Sequence, residues 1–158
     1  MLTRPIRLPV PLLGLLLLST SGLQAQSTDV GTEAAVRLAA ARFVEAFNNL
    51  DWTEFAASFD PEATIFHPSA ALKRRIEGRD ALVASFQGIF ADVPNQQPGP
   101  PYLSISPRDL RVQMLGDAAV VTFHLGSEPT LNRRTLVYVR RGDRWLIAHI
   151  HASALTEP

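Results

Sequence analysis

Two histidines separated by one residue, His149 and His151, are the groups in this 158-residue chain best placed by type and spacing to move a proton. An imidazole titrates near pH ~6.5, so such a pair can act as general acid and base around neutrality. Both lie in Arg144–Ser153, which reads as the last strand. Side chains alternate along a strand, so Trp145, Ile147, His149, His151 and Ser153 are expected on one face, with Leu146, Ala148, Ile150 and Ala152 on the other. That arrangement makes Trp145 the floor of a pocket whose polar end holds two imidazoles and the Ser153 hydroxyl, which can orient one ring. Tyr138 on the preceding strand and His67, just before Pro68, are further candidates for contact with a ligand.

Each of these residues also has a structural reading. His149 and His151 can tie the last strand to a helix or loop through hydrogen bonds. Trp145 and Tyr138 can be core residues, and His67 can be a surface residue. Alternate strand positions lie roughly 6.6 Å apart, so His-x-His can chelate a metal, but a third ligand would have to come from His67 or His124. No further ligand spacing supports a metal, and none is expected. The chain has no cysteine, so thiolate chemistry and disulfides are excluded. It shows no phosphate loop, dinucleotide fingerprint or nucleophile arrangement, and no cofactor is expected.

The elements that must position these groups are legible from periodicity. Val36, Ala40, Phe43, Phe47 and Leu50 recur at helical spacing from Thr32 onward. Asp51, with Glu54 three residues later, opens a second helix carrying Trp52, Phe55, Ala56 and Phe59, which Asp60-Pro61 ends. Ala63–His67 reads as a short strand and Ser69–Glu77 as a connection with a solvated basic cluster, Lys73-Arg74-Arg75. Asp80 is expected to cap a third helix that buries Leu82, Phe86, Ile89 and Phe90. Four prolines mark Asp92–Pro101 as a loop. Everything after it is strand: Leu110–Met114, Ala118–Leu125, Arg133–Arg140 and the last strand, joined by turns at Gly116-Asp117 and Gly142-Asp143. Helices first and strands last predict an α+β domain, a curved antiparallel sheet with three N-terminal helices packed on one side. The far side, with Val121, Phe123 and Leu125 matching the small apolar face of the last strand, is expected to cover itself by dimerisation.

Residues 1–25 stand apart. Arg4 and Arg7 precede the apolar run Leu8–Leu18, and Leu23-Gln24-Ala25 ends a small and polar stretch, so this segment reads as a signal peptide cleaved after Ala25. Secretion, or delivery to a periplasm, is the expected destination, with no membrane attachment after cleavage. Residues 26–31 read as a flexible tail, and 32–156 as the folded domain. Of the 15 basic residues only Arg4 and Arg7 would be lost, so basic and acidic side chains stay near balance and nucleic acid is not an expected partner.

The order of these elements resembles the nuclear transport factor 2-like superfamily, which includes SnoaL-like and ketosteroid-isomerase-like proteins. The resemblance rests on the Asp51-Trp52 helix, Asp60-Pro61-Glu62-Ala63-Thr64, Glu77-Gly78-Arg79-Asp80 and the terminal meander. Arg140-Arg141-Gly142-Asp143-Arg144-Trp145 followed by His149, His151 and Ser153 is similar to the association domain of calcium/calmodulin-dependent protein kinase II. The resemblance implies a cone-shaped, cystatin-like fold with a pocket between sheet and helices, and a dimer formed through the sheet. That kinase domain carries pocket arginines; Leu136 stands at one such place, and Arg134, two residues earlier on the same strand face, is the candidate here. The carboxylate base and the tyrosine-plus-acid pair of ketosteroid isomerases have no counterpart. The expected function is to bind a small organic molecule, with possible turnover as a cofactor-independent isomerase, hydratase, dehydratase or related lyase. The alternative is a non-catalytic association module.

Overall fold

The computed structural model describes residues 21–68, 72, 74–126 and 131–154. Most of the expected signal peptide, residues 1–20, lies outside these. Helix α1 runs from Ser21 to Asn49, and α2 from Trp52 to Ala57. Strand β1 is Phe59–Phe66 and β2 is Ile76–Glu77; α3 is Arg79–Ile89 and α4 the single turn Val93–Gln96. Strands β3 (Arg108–Leu115), β4 (Ala118–Leu125), β5 (Asn132–Arg141) and β6 (Arg144–Ala154) complete the fold. The six strands form one curved, unclosed sheet in the order β2-β1-β6-β5-β4-β3, with the helices on one side. Neighbours are antiparallel except β1 and β6, which run parallel and make the chain's first strand a neighbour of its last.

The helical periodicity of α1 is borne out by packing, since Val36, Ala40, Phe43, Phe47 and Leu50 are all buried. The helix ends in a left-handed residue, Leu50, at φ 51°. Its N–H bonds Phe47 O while the N–H of Asp51 bonds Ala46 O, the pairing that satisfies the last free carbonyls of a helix. Asp51 then caps α2 at once, its Oδ1 accepting from Thr53 N and Glu54 N at 3.1 Å. This tight joint brings the rings of Phe43, Phe47 and Phe55 together at 5.3–5.4 Å.

Several local expectations change. β1 begins at Phe59 and runs through Asp60-Pro61, because the Asp60 carboxylate is buried there and accepts from Arg141 Nε at 2.8 Å. Gly78, not Asp80, sits at the start of α3, and Ile89 is left largely exposed at its far end. The expected loop 92–101 contains the α4 turn, and the expected connection before α3 contains β2.

The largest correction concerns β6. Its register with β5 steps from Val137↔His149 to Tyr138↔Ile147, so Ala148 is one residue too many. A bulge of this kind reverses the facing of everything beyond it. Trp145 and Ile147 point under the helices, and so do Ile150 and Ala152, all of them buried. His149 and His151 therefore stand on the outer side of the sheet, opposite the face that Trp145 occupies. In β4, Val121 and Phe123 also point inward and are buried, so they are core and not part of the outer face.

Candidate functional site

Between the helices and the inner face of the sheet lies an apolar chamber of about 170 Å³. Helix α1 supplies Phe43, Val44 and Phe47, α3 and its C-cap supply Phe86 and Phe90, and the sheet supplies Ile65, Phe123, Leu136, Ile150 and Ala152. The rings hold one another at right angles: Phe47 meets Phe86 at 5.3 Å and Phe90 at 5.1 Å. Burial lessens along the strands toward one end. Leu136 is buried but Arg134 only half so, and Ile65 is buried while His67 is half-exposed. That end is the mouth, and it holds the chamber's two ionisable side chains, His67 and Arg134.

Arg134 is anchored from behind. Its Nη1 donates to Arg133 O at 2.9 Å and to Ser153 O at 3.4 Å. Burial weakens its hold on the proton without discharging a guanidinium. His67 packs edge-on against Phe86 at 5.3 Å. Burial first, and the positive charge of Arg134 second, lower its pKa from the ordinary 6.5, so at neutral pH the ring is uncharged. A neutral imidazole beside a fixed cation at the mouth of an apolar chamber can accept a proton from a molecule that the cation holds.

The other candidates are placed elsewhere. His149 Nδ1 meets Thr64 Oγ1 at 2.7 Å across the parallel β1–β6 pair. Its ring and that of His151 lie 5.7 and 5.9 Å from Phe66 on the outer face. Burial, His151 and Arg75, in that order, lower the pKa of His149. Ser153 pairs with Arg133, and only its backbone carbonyl touches the site, through Arg134. His124 is on the outer face too, with Nδ1 3.9 Å from Asp109. Among the described residues no cluster of three or more His, Cys, Asp or Glu could hold a metal ion.

Tyr138 and Trp145 face inward but at the far end of the sheet, where with α1, α2 and the β5–β6 turn they line a separate crevice of about 220 Å³. Tyr138 Oη is the one buried side-chain polar atom without a hydrogen-bond partner among the described residues. Burial raises its pKa well above the ordinary 10. Thus of the eight residues singled out from the sequence, the structure brings His67 and Arg134 together in the chamber. The aromatic wall from α1 and α3 was legible only as a buried helix stripe.

The sequence pattern of the SnoaL-like domain family matches residues 36–157. No curated protein matches the chain. Among solved structures, an NTF2-like protein from Pseudomonas putida is 22% identical, covering 81% of this chain and 89% of that one, with a TM-score of 0.66. A ketosteroid isomerase-like protein from Parabacteroides distasonis is 26% identical, with 73% and 84% covered and a TM-score of 0.57. A CaMKII hub from S. rosetta is also 26% identical, with 77% and 95% covered and a TM-score of 0.58.

Proposed function

The chain belongs to the SnoaL-like domain family, and from that premise we propose that its chamber binds a small, largely apolar organic molecule through a carboxylate or carbonyl group held at Arg134 and His67. The observation that carries this reading is the pairing of an apolar, aromatic-walled cavity with two polar side chains gathered at its mouth. The size is informative as well. A dry cavity of ~150 Å³ accepts one benzene ring, so about 170 Å³ suits a single ring and not a fused polycyclic skeleton.

If the ligand is turned over, the acid/base group in reach is His67. Arg134 would polarise a carbonyl, and the neutral imidazole would take a proton from the adjacent carbon. Returning that proton elsewhere is an isomerisation; expelling a β-hydroxyl as water is a dehydration. Neither needs a cofactor. The likeness to a ketosteroid isomerase-like protein agrees with this chemistry, while the chamber volume speaks against a steroid. We assign the domain to secreted or periplasmic space on the basis of the leader-like residues 1–25. The test is native mass spectrometry of the purified chain, followed by calorimetric titration with benzoate. Binding of a benzoate-sized acid is the expected result, and no binding at millimolar concentration would refute the proposal.

The likeness to a CaMKII hub favours a second reading, association through the outer face of the sheet. Val120, Val137, Val139, Leu146 and Ala148 lie there half-buried, beside the exposed Phe66. A dimeric mass in light scattering at micromolar concentration is the expected result; a monomer with no concentration dependence would end this reading.

A further inference from the structure

The chamber does not end at its mouth. Three of its walls, Phe90, Ile105 and Leu125, also line an open groove of about 530 Å³ that continues along the segment between α4 and β3. Resting on the ligand-binding reading above, we propose that the natural ligand is longer than the chamber: a ring-sized acid with an extended apolar chain, whose acid group stays at Arg134 while the chain lies in this groove.

The groove is a fixed feature. A single residue of α1, Asn48, holds its wall by four hydrogen bonds. The backbone N–H groups of Tyr102 and Leu103 both donate to Asn48 O, at 2.8 and 2.9 Å. Asn48 Nδ2 donates to Ile105 O at 3.0 Å, and Ile105 N donates to Asn48 Oδ1 at 2.8 Å. The opposite wall is equally settled, because Phe90 caps α3 through Phe86 O and its ring rests on Phe47. Arg108, which also lines the groove, donates from Nη1 to Gly126 O at 3.1 Å. Such a channel is prepared before any ligand arrives, so the ligand need not order it. Leu103 and Ile105 give it an apolar floor. Each methylene moved from water onto that floor should strengthen binding about two- to four-fold, the upper figure being full burial.

The experiment is a calorimetric series of 2-alkylbenzoates, from methyl to hexyl, on the wild-type chain and on Leu103→Ala. The alkyl chain of such a ligand leaves the ring beside the acid group and so emerges at the mouth, where the groove begins. Leu103 lines the groove and not the chamber. The expected result is affinity that keeps rising through hexyl in the wild type, with the gain beyond propyl largely lost in Leu103→Ala and toluate binding unchanged. Affinity that levels off or falls by butyl, with benzoate and toluate still bound, would overturn the extended-ligand proposal and leave the chamber reading intact. Failure of every member of the series, benzoate included, would overturn both. The wild-type series decides the matter even if Leu103→Ala folds poorly.

Discussion

His149 and His151 are similar in type and spacing to a catalytic pair, yet their surroundings differ from those of His67. His151 is exposed on the outer face, so His151→Ala should shift stability by no more than about 0.5 kcal/mol and leave ligand affinity unchanged, by thermal melting and calorimetry. His149→Ala loses the bond to Thr64 and should cost about 1 kcal/mol, again without effect on binding. The pH dependence follows from the two histidines whose pKa is lowered, His67 and His149. Below the unfolded value near ~6.5 the unfolded chain takes up protons that the folded chain resists, so stability should hold above that pH and fall as pH drops through it. Urea denaturation at pH 7.5 and 5.5 checks this. His67→Gln with His149→Gln should flatten the difference; a slope unchanged by the pair would remove these histidines as its source.

At the scale of elements, the joint between β1 and the β5–β6 turn is the feature most open to attack. Asp60 is buried, its Oδ2 accepting from Arg141 Nε at 2.8 Å and its Oδ1 from Glu62 N at 3.1 Å. Asp60→Ala orphans the Glu62 N–H and frees Arg141, a loss on the order of 2–3 kcal/mol measurable by denaturant unfolding. A change under about 0.5 kcal/mol would mean that this pair does not hold the first strand against the β5–β6 turn. Helix periodicity and two-residue turns made most elements readable in the sequence, as the buried stripe of α1 and the Gly116 and Gly142 turns show. The facing of β6 was not readable by strict alternation, because one inserted residue, Ala148, inverts it. Its trace is present in hindsight: Trp145 and Ile147 are bulky in one phase, Ile150 in the other, an odd step of three. The parallel β1–β6 pairing joins segments more than eighty residues apart, and no local pattern encodes it.

For the whole molecule, the sheet divides its histidines between two environments. The inner side holds an aromatic chamber with His67 and Arg134 at its mouth, and the outer side holds His149, His151 and His124 among half-buried aliphatic residues. The α+β architecture was legible from element order, since helices before a meander restrict the ways of covering one sheet face. The SnoaL-like family was legible as a resemblance carried by Asp51-Trp52, Asp60-Pro61-Glu62-Ala63-Thr64 and Glu77-Gly78-Arg79-Asp80. The candidate site was legible only in part, because which side of a sheet a residue faces depends on the register of the assembled strands. The direct measurement is benzoate affinity by calorimetry for wild type, Arg134→Leu and His151→Ala side by side. Arg134→Leu should weaken binding about 10- to 100-fold, the worth of a charge-assisted hydrogen bond, while His151→Ala binds like wild type. Full affinity in Arg134→Leu together with lost affinity in His151→Ala would place the site on the outer face and contradict the chamber.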